Sequence, residues 1–425
     1  MQGGARRLDC AAMTATPSPA ATASPAAEDV PVVRLRPGGH RRLLHGHPWV
    51  YSNEVEMDAA ARALPPGIVA RLESSDGERL GTALFNRLPL ISARLLTRDA
   101  KATVDTSFLR GRLARALAIR ERLLPQPYYR LVHAEADGLP GLIIDRFGDA
   151  LVLQLNCAGM DRLLPLLLEA LEDLLAPRVI LLRSDSVARQ MEGLEPRSEI
   201  VSEIVKGTLA GPIEVQENGA RYLADLGEGQ KTGWFYDQRE NRAWLAPFAA
   251  GARVLDGYCY SGGFTLQAAL AGATEVVAID RSRPALDLAE QAATLNGVAG
   301  RCRFLKGEVF TELQRLAKTE ERFGLVIVDP PAFVKSKKDL RQGAKGYRKL
   351  ARLAATLVAP EGTLFIASCS HHVDAALFGE QVKRGLVDAG RSGRILRSAG
   401  AAPDHPVHPA LPESAYLKAQ VLALD

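Results

Sequence analysis

Five short apolar runs in the C-terminal half, spaced so that helices fit between them, constrain the fold of this chain more than any other feature. Val254–Gly257, Val276–Asp280, Phe304–Lys306, Leu325–Val328 and Leu364–Ala367 read as strands, with helices over Phe264–Leu270 and Ala285–Asn296. Strand–helix alternation at this spacing predicts a parallel, doubly wound α/β sheet whose ligands bind at the carboxyl ends of its strands. Acidic residues stand at three of those ends: Asp256, Asp280 and Glu308.

The first turn, Asp256-Gly257-Tyr258-Cys259-Tyr260-Ser261-Gly262-Gly263-Phe264, is not the GxGxxG of a dinucleotide site. A carboxylate beside the ligand would repel a pyrophosphate, but it accepts a hydrogen bond from an amino acid's ammonium group. That favours S-adenosylmethionine, which is cationic and carries no phosphate; a nicotinamide or flavin site is the alternative. Asp280, 24 residues after Asp256, stands where a ribose diol would be gripped. Glu308 is expected near the adenine.

At 425 residues two or three domains are expected. The hydrophobic fraction of 47% and charged fraction of 24% exclude a mostly disordered or membrane-embedded chain. No apolar run reaches the ~18 residues of a membrane span. A net charge of 53 − 49 = +4 means that any nucleic-acid binding rests on local basic patches. The five scattered cysteines form no CxxC pair, and no metal site is expected. They suit a reducing compartment, and a cytoplasmic location is expected.

Residues 11–27 hold 16 Ala, Thr, Ser or Pro among 17, so 1–29 reads as a disordered tail, with a transit peptide as the alternative. Over 30–105, the runs Val32–Leu35, Ile68–Leu72, Leu80–Phe85 and Ile91–Leu96 predict a small β-barrel or sandwich. Near its start, Arg34, Arg36, Arg41 and Arg42 stand with His40, His45, His47, Trp49 and Tyr51. Such a mixture can neutralise phosphates and stack on bases, or it can be a solvated face with aromatics in the core. Residues 106–213 read as a central α/β module. It has an amphipathic helix over 107–124, strands at Leu142–Asp145, Ala150–Asn156, Val179–Arg183 and Thr208–Gln216, and a Leu-rich helix over 160–175. Glu135 and Asp137 read as a solvated turn. The last unit is 214–425.

The stretch Lys231-Thr232-Gly233-Trp234-Phe235-Tyr236-Asp237-Gln238-Arg239 resembles the KTGxxxDQR signature of the RlmI-like 23S rRNA cytosine-5 methyltransferases. The match continues in order through DPPAF at 329–333, Gly346-Tyr347, SCS at 368–370, Asp404-His405-Pro406 and Tyr416-Leu417-Lys418. RLLHGHPWVYSNE at 42–54 resembles the start of the family's PUA domain, so the likeness covers nearly everything after residue 30. It implies a PUA-like RNA-binding domain, a central module and a Rossmann-like methyltransferase domain, with large-subunit rRNA as partner and a possible homodimer. The family's cofactor contacts would fall on Lys231, Phe235, Gln238, Asp256, Tyr258, Gly262, Asp280 and Glu308. Glu308 departs from the Asp common in some relatives.

Cytosine C5 is a poor nucleophile, and enzymes that methylate it first add a thiolate to C6. Cys369, between two serines after the strand Leu364–Ala367, is the expected nucleophile; Cys259, inside the cofactor turn, is the competing thiol. A small buried filler is the bland alternative for Cys369. Asp329 would bind the amino/N3 edge of the flipped base and Phe333 would stack on it. The Asp-Pro-Pro-aromatic motif also serves amino-group methylation, so alone it does not separate cytosine C5 from adenine N6 or guanine N2. His371 or His372 could take the C5 proton. Eight Lys/Arg and one acid between Lys335 and Arg352 predict a positive rim, with Lys335, Lys337 and Lys338 joining Arg34, Arg41 and Arg42 as RNA contacts. A non-catalytic RNA-binding assembly factor is the rival of a different class.

Overall fold

A computed structural model describes residues 30–184, 186–194, 202–227 and 233–425. The expected 1–29 tail and the cofactor candidate Lys231 lie outside the described residues.

Among the described residues the strands form three sheets and one hairpin. The first sheet joins β1 (Val32–Arg34), β2 (Trp49–Tyr51), β3 (Ile68–Glu73), β4 (Arg79–Phe85) and β5 (Ile91–Thr97) in the order β1-β3-β4-β5-β2. Val33, Val50, Ala70, Leu72, Ala83 and Phe85 fill its core. β2 is the strand that the sequence does not announce, since three residues give too short a pattern.

The second sheet holds β6 (Tyr128–His133), β7 (Leu142–Phe147), β8 (Ala150–Leu155), β9 (Val179–Arg183) and β10 (Ser202–Lys206) in the order β10-β9-β8-β7-β6. The helix Thr106–Leu123, capped by the Asp105 carboxylate on Phe108 N, buries Leu109, Leu113 and Leu117 on one stripe. Arg120 continues that stripe and is fully buried, because its guanidinium pairs bidentately with Asp137 at 2.6 and 2.7 Å. Asp137 is therefore a buried counter-ion and not part of a solvated turn. The single helix expected over 160–175 is two, Ala158–Arg162 and Leu164–Leu175, with Pro165 in the first turn of the second. The strand expected from Thr208 begins only at Ile213: Pro212 has no N–H to pair.

β11 (Ile213–Glu217) and β12 (Ala220–Ala224) form the hairpin that leads into the third sheet. That sheet joins β13 (Arg253–Gly257), β14 (Glu275–Asp280), β15 (Cys302–Lys306), β16 (Phe323–Val328), β17 (Val358–Ser368), β18 (Gly393–Ala399) and β19 (Lys418–Leu424) in the order β15-β14-β13-β16-β17-β19-β18. β13 to β17 are parallel and β19 runs against them. Val276–Ile279 and Leu325–Val328 are buried on both faces under helices, which is why they read as continuous apolar runs rather than alternating ones. The carboxyl ends of β13, β14, β16 and β17 meet at one edge.

Two polar junctions tie the sheets together. Between the first and second, Trp49 Nε1 donates to Glu135 Oε1 at 2.8 Å, and Arg94 bridges Glu135 and Glu192 at 2.9 and 3.0 Å. Glu135 is thus an interdomain acceptor that holds the half-buried Trp49 by its indole N–H. Between the second and third, Arg120 donates to the Asp404 carbonyl at 3.1 Å and the Arg130 N–H to the Asp404 carboxylate at 3.0 Å. Tyr236 adds a bond from its hydroxyl to the Arg146 carbonyl at 2.8 Å.

Candidate active site

The turn after β13 is held in an unusual backbone conformation. Tyr258, Tyr260 and Gly262 all have positive φ, at 68°, 50° and 85°. Such values cost a non-glycine residue about 1–3 kcal/mol and persist only where surroundings impose them. Here they aim the Tyr260 N–H at Asp280 Oδ2 (3.0 Å), while Ser282 N–H donates to Asp280 Oδ1 (2.9 Å). Gly262 is required twice over: a Cβ at this left-handed position would also approach the Ala289 methyl to 3.0 Å.

Asp256, near the end of β13, is almost wholly buried. Its Oδ2 accepts from Thr265 Oγ1 at 2.6 Å, and its Oδ1 has no hydrogen-bond partner among the described residues. Burial pushes its carboxyl up to about 7. An orphaned, buried carboxylate oxygen asks for a cationic donor, so the residues present fit the ammonium end of S-adenosylmethionine. Phe235 packs edge-on to Tyr260 at 5.3 Å, closing the side of the same turn. Tyr258 is half-buried, and its hydroxyl is pushed up by burial first and by Glu308 second. Glu308 is also used locally, where its Oε2 caps the helix Val309–Leu316 by accepting from Thr311 N at 2.8 Å. Tyr260, Thr265 and Ser282 escape the sequence reading because main-chain donors and hydroxyls leave no spacing signature.

The second half of the site lies at the ends of β16 and β17. Alternation along the SCS tripeptide turns the two serines inward. Ser370 Oγ bonds the Tyr347 hydroxyl at 2.8 Å and accepts from Val334 N–H at 3.1 Å, and the buried Ser368 Oγ accepts from Ser370 N–H. Cys369 between them is half-exposed, with Sγ 3.9 Å from the Pro330 carbonyl, next to Asp329. Cys259 is buried, and burial with Asp256 and Asp280 beside it pushes its thiol well up, which disfavours the thiolate. Gln238, expected at the cofactor, donates from Nε2 to Asp329 Oδ2 at 3.0 Å and accepts from Asn241 at 2.6 Å.

Phe333 is half-buried in a row of rings, 4.7 Å from Tyr347 and 5.8 Å from Phe310, so only its exposed edge is left for a base. His371 is stacked on Tyr416 at 5.4 Å, and Tyr416 donates to Asp237 Oδ2 at 2.5 Å. His372 is exposed. Lys335, Lys337 and Lys338 line the surface beside this edge, whereas Arg348 in the same run is engaged by Asp388 at 2.6 and 2.7 Å. In the first sheet's unit, Arg34 lies 3.8 Å from Glu73 and Arg42 lies 3.4 Å from Glu54 while covering the Tyr51 ring. Arg41 is exposed and in no ion pair among the described residues. These basic groups are not gathered at one point; they lie on the first unit and beside the ends of β16 and β17.

Family models match residues 185–417 as an S-adenosylmethionine-dependent methyltransferase and 33–98 as a PUA-like domain. The ribosomal RNA large subunit methyltransferase I of Aeromonas hydrophila is 38% identical over 396 residues, covering 92% of this chain and 98% of that protein. Its namesake from Pseudoalteromonas atlantica is 35% identical, with 91% and 97% covered. Among solved structures, a protein of Streptococcus mutans solved as a SAM-dependent methyltransferase superposes with a TM-score of 0.76 at 21% identity, over 92% of this chain and all of that one. A methyltransferase solved with SAH superposes at 0.78 and 20% identity, over 93% and 100%. Near-complete coverage at the identity of the Aeromonas protein, on a strand-end acid pair that fits S-adenosylmethionine, leads to one conclusion: the chain belongs to the ribosomal RNA large subunit methyltransferase I family of S-adenosylmethionine-dependent methyltransferases.

Proposed function

We propose that this chain methylates C5 of a cytosine in large-subunit ribosomal RNA, in the cytoplasm, through a covalent bond between Cys369 and C6 of the base. The observation that carries the reading is the adjacency of Cys369 and the Asp329-Pro330 turn, with Sγ 3.9 Å from the Pro330 carbonyl at the shared edge of β16 and β17. Asp256, Tyr258, Gly262, Asp280 and Glu308, with Lys231 and Phe235, would hold the cofactor. When bound, S-adenosylmethionine supplies an electrophilic methyl group on a cationic sulfur.

Asp329, steadied by Gln238, would hold the amino/N3 edge of the base. The Cys369 thiolate then adds its electron pair to C6, and the ring's C5=C6 electrons become available at C5. After methylation the C5 proton passes to a base, His371 being a candidate two residues beyond the thiol. The electrons of that C–H bond restore C5=C6, and the C6–S bond breaks to return the thiolate. Lys335, Lys337, Lys338, Arg34, Arg41 and Arg42 would contact phosphates, and the edge of Phe333 the base.

The test is nucleoside mass analysis after incubation of unmodified large-subunit rRNA with methyl-labelled cofactor. Label on 5-methylcytidine that disappears in Cys369→Ala supports the reading. Label on adenosine or guanosine, retained in that variant, overturns it in favour of amino-group methylation. The Asp329 carboxylate and Pro330 carbonyl, two acceptors side by side, are what that second reading would use.

A further inference from the structure

We propose that Lys418 is the positioning residue that makes Cys369 a thiolate, a proposal that rests on the reading of Cys369 as nucleophile. Strand direction brings the lysine to the site. In a parallel sheet the last residues of each strand reach the ligand-binding edge, but β19 runs antiparallel, so its first residue arrives there instead. That residue is Lys418, and its register partner on β17 is Ser368, the residue before Cys369.

The ammonium is anchored without being neutralised. Nζ donates to the Ser370 carbonyl at 2.7 Å and to the Tyr416 carbonyl at 2.6 Å, and no carboxylate lies in ion-pair range among the described residues. These two carbonyls hold a full positive charge at the tip of β17, one of them on the residue after the thiol. Holding a lysine half-buried against neutral acceptors costs solvation, and burial indeed draws its pKa below the ordinary lysine value. The largest effect opposing that shift is the charge of Cys369. The interaction is mutual, so what favours the ammonium favours the thiolate.

The tyrosines and carboxylates facing the thiol do not supply this charge. Tyr347, from the helix Leu340–Leu357, and Tyr416, before β19, are both pushed up by burial and stay neutral. Asp374 is turned to cap the helix Ala375–Asp388 through Leu377 N at 2.7 Å, and Asp329, before Pro330, is a carboxylate that opposes thiolate formation. His371 is stacked on Tyr416. Ionisation releases the thiol proton to solvent and leaves the electron pair on sulfur, ready for C6.

The experiment is the pH dependence of iodoacetamide alkylation at Cys369 in the full chain, read by mass spectrometry of its peptide. In the unaltered protein the midpoint is expected below the ~8.5 of a free cysteine. Lys418→Met, which keeps the aliphatic stem, is expected to raise it by about one pH unit, so that thiolate at pH 7 falls about tenfold. Lys418→Arg should stay near the unaltered profile. A midpoint at or above ~8.5 in the unaltered protein overturns the proposal whether or not any variant folds. So does an unmoved midpoint in a Lys418→Met variant that still binds cofactor. Failure of the nucleophile reading is separate: it shows as cytosine methylation by Cys369→Ser, whatever the alkylation profile.

Discussion

Gln238 holds Asp329 through a 3.0 Å bond from Nε2 to Oδ2, and Asn241 fixes the other end of the amide at 2.6 Å. The family resemblance implies a cofactor contact for Gln238; the geometry turns it toward the carboxylate proposed to orient the base. Displacing a reacting group by about an ångström costs on the order of 100-fold in rate. Gln238→Ala is therefore expected to lower the single-turnover methylation rate by roughly 10- to 100-fold, while SAH affinity by calorimetry changes less than about threefold. A larger loss of affinity than of rate would return Gln238 to the cofactor.

With Asp256 in its proposed cofactor role, cofactor binding and stability are expected to respond to pH in opposite ways. Its folded pKa, about 7, lies above the unfolded carboxylate's, so the folded chain holds the extra proton between about 4 and 7. Stability falls as pH rises through that window, by up to about 4 kcal/mol for a shift of this size. Asp256→Asn is expected to melt higher than the unaltered apo-protein at about pH 8, with the gap closing toward about pH 4. Cofactor affinity should do the reverse, weakening as pH falls through about 7 and dropping roughly 10- to 100-fold in the Asn variant, the worth of a charged hydrogen bond. Thermal melts of the apo-protein read the first arm, and calorimetric titration with cofactor on either side of neutrality reads the second.

His133 sits in the junction between the second and third sheets, 5.1 Å ring to ring from His405. Burial first, then Arg130 and His405, pull its pKa down to about 2. The unfolded chain takes up this proton below about 6.5, so stability is lost as pH falls from there, by about 2 kcal/mol over the next two pH units or so. Urea melts should show that difference in the unaltered protein and a smaller one, by about this amount, in His133→Gln.

The basic residues divide by whether the protein already uses their charge. Removing Lys337 or Lys338 at the rim should lower RNA affinity and make its salt dependence shallower, by about 0.7–0.9 in slope for each phosphate left unneutralised. Arg348→Ala should leave that slope unchanged, because Asp388 occupies its guanidinium. Filter binding across a salt series decides between them.

Asp256 and Asp280 stand out in the sequence because acids at successive strand ends leave a residue type at a fixed spacing, whereas Asp329 and Cys369 stand out chiefly through the family resemblance. The doubly wound order of the third sheet is legible for a similar reason, since strands buried on both faces are continuous apolar runs. β2, β6, β10, β12, β18 and β19 are not. β2, β6, β10 and β18 are edge strands, paired on one side only, β12 is half of a two-stranded hairpin, and β19 is an interior strand whose partner β17 lies about fifty residues earlier. The ion pairs are the deepest omission. Arg120 reads as a surface residue until Asp137 is seen 17 residues away, and Glu135 reads as solvated until Trp49 is found 86 residues before it. Nothing local announces a partner that the fold brings from elsewhere, and so Lys418 is visible only as part of a motif.

The bonds from Trp49 and Arg94 to Glu135, with Glu192 behind them, turn the N-terminal unit from an arm into a fixed caliper jaw. Its exposed Arg41 and the thiol at the end of β17 stand a set span apart. With Arg41 and Cys369 in their proposed roles, an RNA held at the first reaches the second only by bridging that span. Selection by such a device would be a matter of measured length as much as of bases read, and a fragment that carries the right cytosine on too short a stem would be refused.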